Sequence, residues 1–202
     1  MPFYDLPTTA EVGGLELPVR SDYRAALDLI QVMGDPELED HERALLVMEL
    51  FYDSWEEQVG FDDEGNPIMV EHGWWEIAEE DYQEAVNRAF WFVGGGKAPG
   101  KKKPKLMDWE QDFPLIAAPV NRVLGFEVRA VPYMHWWTFL AAYNEIGDCL
   151  FAQVVGIRKK KAKGKKLDKS DEAFYRENAD IVNFKVRTSS EEEAVFDEWT
   201  RG

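Results

Sequence analysis

The chain has 202 residues, 45% of them hydrophobic, and a net charge of −16, which suffices for one sizeable core or one core plus an appendage. Its single cysteine, Cys149, excludes an internal disulfide and fits a reducing compartment. The N-terminus, MPFYDLPTTAEV, lacks the basic-then-apolar layout of a signal peptide. Tyr133 to Ile157, the one candidate membrane span, is interrupted by Asn144, Glu145, Asp148 and Gln153; one central Asp costs roughly 2.5–3.5 kcal/mol on an insertion scale.

The charge is unevenly spread. Five lysines lie between Lys97 and Lys105 and eight basic residues between Arg158 and Lys169, thirteen of the 23 Lys and Arg in the chain. The remainder, with Asp168 assigned to the second run, holds ten basic against thirty-eight acidic residues. Eight Trp and twelve Phe are many for this length, and large aromatics serve interfaces as well as cores.

In chain order, Thr8 to Val19 reads as a β-hairpin turning on Gly13-Gly14, with Pro18 ending the second strand. Ser21 is the expected N-cap of a helix carrying Tyr23, Ala26, Leu27, Ile30 and Met33 and ending near Gly34. A second helix follows over Ala44 to Phe51, and the short connection predicts that the two pair. Gly60 to Gly73 has a turn signal at Gly65-Asn66-Pro67 and a short apolar run, consistent with either a second hairpin or a surface insertion. Glu79 to Val93 is helical by period and must stop at Gly94-Gly95-Gly96. Lys97 to Lys105 is a Gly/Pro/Lys linker unable to bury itself.

Asp108 is placed to cap the next helix, which Pro114 and Pro119 are expected to bend or split before Gly125 ends it. Phe126 to Val131 reads as extended. Pro132 then suits the first turn of a long helix, in which Trp136, Leu140, Tyr143, Gly147, Leu150, Val154 and Ile157 alternate by four and three as a seam for another helix. That helix is expected to fray near Lys163-Gly164. Asp168 or Ser170 caps a helix bearing Phe174, Tyr175 and Ile181, and Ser190 to Trp199 resembles a short acidic helix. The fold class is mainly α: a multi-helix domain with a small N-terminal β-hairpin and flexible Lys-rich loops. Its expected parts are a helical domain over 1–157, with a Gly/Lys/Pro-rich loop at 94–106 within it, a basic linker over 158–169 and a C-terminal helical segment over 170–202.

No catalytic constellation emerges, so an enzyme is not expected. Asp108-Trp109-Glu110 is better read as a cap and first turn than as a metal pair, since residues two apart on a helix face different ways. His41, His72 and His135 have no second histidine or cysteine at ligand spacing, and Asp62-Asp63-Glu64-Gly65 lacks the alternate oxygen ligands and closing Glu of a calcium loop. No metal or cofactor is therefore called for. Partner contact is the better reading, with Trp136, Trp137, Leu140, Tyr143, Leu150 and Val154 on the seam and Lys159, Lys160, Lys161, Lys165 and Lys166 in the basic run as the candidates. Lysine runs and aromatics also permit nucleic-acid binding, but the acidic body repels phosphate, so protein partners, including further copies of the chain, are favoured.

Leu6 to Ile30 (LPTTAEVGGLELPVRSDYRAALDLI), Met107 to Gly125 (MDWEQDFPLIAAPVNRVLG), His135 to Phe151 (HWWTFLAAYNEIGDCLF) and Arg158 to Asn178 (RKKKAKGKKLDKSDEAFYREN) resemble a family of tailed-bacteriophage proteins, the gp-fifteen-type proteins of siphophages and prophages of Gram-positive bacteria. Gly60 to Gly73 looks like an addition relative to shorter members. The genes of this family typically lie between those of the tail tube and tape-measure proteins. The resemblance thus implies a tail assembly chaperone that coats the helical tape-measure protein, yields to tail tube subunits, works in the host cytoplasm and is absent from the mature virion. A structural or tail completion protein of the virion is the first alternative, and a nucleic-acid-binding accessory factor the second. The family has no assigned catalytic residues to transfer.

Overall fold

The computed structural model describes residues 5–97 and 104–185. Most of the Lys97 to Lys105 linker and the whole Ser190 to Trp199 segment lie outside the described residues. The chain is mainly helical with two small hairpins, and divides into two compact units. The first comprises residues 1–103 and 117–146, the second residues 104–116 and 147–202. Among the described residues no helix is long and apolar enough to cross a membrane.

The first unit opens with the expected hairpin, β1 (Thr9–Val12) antiparallel to β2 (Leu15–Pro18). Gly13 and Gly14 take φ of 56° and 82°, which a two-residue turn of this kind demands and which other residues resist. Val12 and Leu17 face inward and are fully buried. Helix α1 (Tyr23–Gly34) pairs with α2 (Asp40–Phe51) across a short connection. Arg43 fastens that connection, donating to the carbonyls of Asp35 and Leu38 and pairing with Asp40. Helix α3 (Tyr82–Val93) packs on α2 and ends, as its glycines require, at Gly94.

The N-cap of α1 is Asp22 and not the expected Ser21. Asp22 Oδ1 accepts from Arg24 N and Oδ2 accepts from Met134 N, both at 2.9 Å, so one carboxylate caps α1 and anchors a distant strand of chain. Ser21 is buried, with its Oγ 2.8 Å from the Tyr133 hydroxyl. Tyr23 N–H donates to the Met134 carbonyl and Trp136 N–H to the Ser21 carbonyl. These bonds tie the start of α1 to the start of α5 (Trp136–Asn144). The rings of Tyr23 and Phe139 stack at 4.7 Å and 7° between them.

The expected second hairpin or insertion at Gly60 to Gly73 is a hairpin. β3 (Trp55–Phe61) runs antiparallel to β4 (Pro67–His72), with a bulge between Gln58 and Gly60. Asp62 organises its turn, accepting from the N–H groups of Glu64 and Asn66 and from the Asn66 side chain. These bonds pull its carboxyl below the usual range, the Asn66 amide most of all. The carboxylate is thus occupied as a turn-former.

Helix α4 (Trp109–Leu124) is capped as expected by Asp108, whose Oδ1 accepts from Glu110 N and Gln111 N at 3.0 Å. It is not split at Pro114 or Pro119; the sixteen residues form one helix, in which each proline removes a single donor while neighbouring turns carry on. The boundary between the two units nevertheless falls inside this helix, between Ile116 and Ala117. Phe126 to Val131 is not extended: it contains a 3-10 turn over Val128–Ala130, capped by Glu127. Asn121 explains the difference, because its side chain donates to Glu127 Oε2 and accepts from Val128 N at 2.8 Å. The Arg129 side chain and then its backbone N–H hold the Glu127 carboxyl down at about 2.

The long helix expected after Pro132 is two helices. Pro132 lies outside α5, which His135 caps. The helix stops at Asn144, Gly147 takes φ of 59°, and α6 (Leu150–Ala162) starts afresh with Cys149 Sγ accepting from Ala152 N at 3.5 Å. Arg122 also takes the Ile146 carbonyl. Gly147 therefore lies outside helical geometry and is not a site of close helix approach, and the four-three seam is divided between two helices.

In the second unit α6 is followed by α7 (Lys169–Glu177), capped by Asp168, one of the two caps expected; the single helix expected there is two, since Ile181 falls in a separate α8 (Ala179–Val182). Val154, Ile157 and Val182 form a small core, covered by Leu115, Leu167 and Phe174 among others. As the sequence suggested, α6 ends just before Lys163-Gly164. Arg158 to Ala162 are its last turns.

Candidate functional site

Three features of the first unit and one of the second form candidate contact surfaces. The first is the aromatic face where α3 meets α5. Its geometry starts at His135. The Nδ1 of this residue accepts from Trp137 N at 3.0 Å, while Nε2 lies 2.9 Å from the Pro7 carbonyl. Those partners require the neutral tautomer with its hydrogen on Nε2. Burial pushes the imidazole below its ordinary pKa, with the bond to Pro7 acting in the opposite direction. His135 thus caps α5 and anchors the segment that leads into β1.

Trp136 is 1% exposed, with its indole N–H on the Val93 carbonyl at 3.0 Å. Trp137 is half-buried and donates to the Phe92 carbonyl at 2.8 Å. Its ring meets Trp91 edge-on at 5.3 Å, and Trp91 is 39% exposed. The glycines after α3 are shaped by these rings. A Cβ on Gly96 would sit 3.0 Å from Trp137 Cη2, and one on Gly95 2.9 Å from Leu140 Cδ2. Leu140 and Tyr143 are half-buried. The helix-stop signal at Gly94 to Gly96 is therefore also a packing requirement of α5.

The second surface is a groove of about 420 Å³ between α2 and α3. Ala44 and Val47 on α2 and Val86 and Phe90 on α3 form its apolar floor, and Asp40, His41, Arg43, Glu79 and Gln83 its polar rim. The floor residues recur at three and four positions, which keeps them on one face of each helix. By periodicity these positions marked two helices, and only the structure brings them together as a groove. The third surface is the β3–β4 hairpin, on which Val59, Phe61, Ile68, Met69 and Val70 are all exposed.

The fourth surface is the basic end of α6. Arg158, counted with the charge run in the sequence, turns inward and is buried against Asp112, at 2.6 and 2.9 Å. It also donates to the carbonyls of Leu106, Ile181 and Val182. Lys160 pairs with Asp168 and Asp171, and these carboxylates, Asp171 first, push its pKa up. Lys161 lies 4.0 Å from the centre of the Tyr175 ring and donates to Asn183. Lys159, Lys163, Lys165 and Lys166 are exposed.

The structure thus distributes the eleven sequence candidates among different roles. Trp136 and Val154 belong to cores, Trp137 and Leu140 pack against the end of α3 and the glycines after it, and Tyr143 is half-buried on α5. Leu150 is 46% exposed at the start of α6. Lys160 and Lys161 bind within their own unit, whereas Lys159, Lys165 and Lys166 reach solvent. No group of three or more His, Cys, Asp or Glu side chains is arranged to hold a metal among the described residues.

These features define a mainly helical protein whose prominent surfaces are grooves, aromatic edges and charged ends. A family model described as Bacteriophage Gp15 protein matches residues 3–183. The chain belongs to the bacteriophage Gp15 family. No curated protein and no solved structure matches it.

Proposed function

We propose that this phage protein is a tail assembly chaperone without enzymatic activity, which holds the tape-measure protein, and in turn tail tube subunits, by reversible helix-mediated contacts. On this reading it acts in the host cytoplasm and leaves before the virion is complete. The observation that carries the proposal is the α2–α3 groove, with its apolar floor of Ala44, Val47, Val86 and Phe90 inside a polar rim. An amphipathic helix docks in such a groove by placing apolar side chains at three- and four-residue spacing onto the floor. A long helical client supplies many such segments. Weak, repeated docking of this kind suits a partner that must later be displaced.

The test is co-expression with the tape-measure protein of the same phage. A complex that keeps the client soluble, and that weakens when Val86 is changed to Asp, supports the proposal. No complex and no gain in client solubility sinks it. Mass spectrometry of purified particles separates it from the virion-protein alternative, in which the chain would be found in the finished tail.

A further inference from the structure

The β3–β4 hairpin has no core of its own. Residues facing opposite ways along a strand alternate, and the register places Trp55, Glu57, Ile68 and Val70 on one face and Glu56, Phe61, Met69 and Glu71 on the other. Phe61 is 67% exposed, Met69 45% and Ile68 44%, so apolar side chains meet water on both faces. Glu56 and Glu71 are direct cross-strand partners, and like charges so placed weaken a ladder. A two-stranded hairpin in water is marginal without a covering partner. Between Trp55 and His72 there are six carboxylates and no Lys or Arg.

The same chain carries the opposite pattern elsewhere. From Lys159 to Lys169 there are seven lysines and one carboxylate. Lys163, Lys165 and Lys166 lie beyond the end of α6 and are exposed. Lysine is suited to this particular hairpin, because its methylene stem can lie on apolar side chains while the ammonium reaches a neighbouring carboxylate. We propose that the β3–β4 hairpin of one copy docks on the Lys159 to Lys169 segment of a second copy. The two surfaces differ, so the contact is heterologous: each copy in a chain offers a hairpin to one neighbour and a lysine segment to the other. This inference does not rest on the chaperone reading, since a virion protein could associate in the same way.

The experiment is sedimentation of the full chain and of two charge-reversed forms. One form carries Glu56→Lys, Glu57→Lys and Glu71→Lys; the other carries Lys163→Glu, Lys165→Glu and Lys166→Glu, outside the helix so that α6 is spared. Circular dichroism checks that both fold. The unaltered chain should associate with rising concentration, with an affinity that falls about tenfold or more between low and high salt, as contacts among exposed charges do. Each reversed form alone should be monomeric, because reversal leaves the altered surface with equal numbers of lysines and carboxylates and removes its attraction for the other. Their equimolar mixture should associate again, as pairs, since the unaltered lysine segment of one form meets the unaltered hairpin of the other. Phe61→Ser with Met69→Ser should weaken association without changing its salt dependence. A chain that stays monomeric overturns the proposal, as does association that survives either reversal or a folded mixture that fails to recover it. Loss of tape-measure capture with self-association intact on hairpin reversal also overturns it, and assigns the hairpin to the client.

Discussion

Arg158 and Asp112, 46 residues apart in sequence, form a two-bonded ion pair with 5% and 2% of their side chains exposed. Asp112 also accepts from Asp108 N at 2.9 Å, and the guanidinium lies 4.1 Å from the centre of the Phe184 ring. One arginine therefore gathers the start of α4, the end of α6 and the segment after α7. Its donors are almost wholly used within the protein, on the Asp112 carboxylate and three backbone carbonyls.

Breaking this pair from either side should cost about 3–5 kcal/mol, because the remaining charge stays buried without its counterion. Arg158→Met and Asp112→Leu should each lower the urea midpoint strongly. The double variant should be less than additive, though still weaker than the parent, since the three carbonyls lose their donor. A double-mutant cycle by urea unfolding measures this; strict additivity would mean that the pair does not couple.

Gly147→Ala should destabilise the protein by about 1 kcal/mol or more, since the residue sits at φ of 59°, where a Cβ is strained. Were Gly147 inside a continuous helix, the same change would stabilise by a similar amount. The sign of the shift in urea midpoint decides between the two geometries.

Trp136→Ala should cost about 3–5 kcal/mol, as expected on emptying a large core site, and it also loses the bond to Val93. Leu150→Ala, at an exposed position, should change stability by no more than about 0.5 kcal/mol. Thermal unfolding of the two variants separates seam residues that build the fold from those that face solvent.

Stability should fall as pH drops below about 6.5, the ordinary histidine value. His135 has a lowered pKa in the folded protein, so the unfolded chain takes up its proton first. The contribution is complete above the unfolded pKa and is lost on the acid side until the folded group also titrates. Protonation places a hydrogen on Nδ1, against Trp137 N–H. His135→Asn can still cap α5 but cannot titrate there, so its urea midpoint should vary less between pH 8 and pH 5. His41 and His72 remain in both proteins, which isolates the effect of His135.

Val86→Asp together with Phe90→Ser should reduce tape-measure capture about tenfold or more, because apolar anchors dominate groove binding. Both side chains lie at the α2–α3 groove and neither is fully buried, so circular dichroism should be unchanged. Unaltered capture would move the client to another surface.

Local rules made much of this architecture legible from the residues. Gly13-Gly14 specified the first hairpin, Gly94 to Gly96 the end of α3 and Asp108 the cap of α4, and the cap of α7 was narrowed to Asp168 or Ser170, because each works through backbone groups only a few residues away. The failures have a different origin. The four-three pattern from Trp136 to Ile157 is real as a spacing, but Gly147 and Cys149 interrupt it, and a periodicity count does not weigh a left-handed glycine against the six other matching positions. Ser21 was as good a local cap as Asp22; Met134 N, more than a hundred residues away, decided between them by bonding the Asp22 carboxylate. Composition likewise could not tell which of eight neighbouring cations would turn inward. Arg158 is buried because α4 brings Asp112 to it, while Lys165 and Lys166, a few residues on, remain in water. The sequence by itself thus determined the N-terminal hairpin, the end of α3, the cap of α4 and the opposed charge blocks, whose causes are short-range. Tertiary structure alone decided which side chains became core, ion pair or surface, because burial depends on partners that the chain meets only on folding.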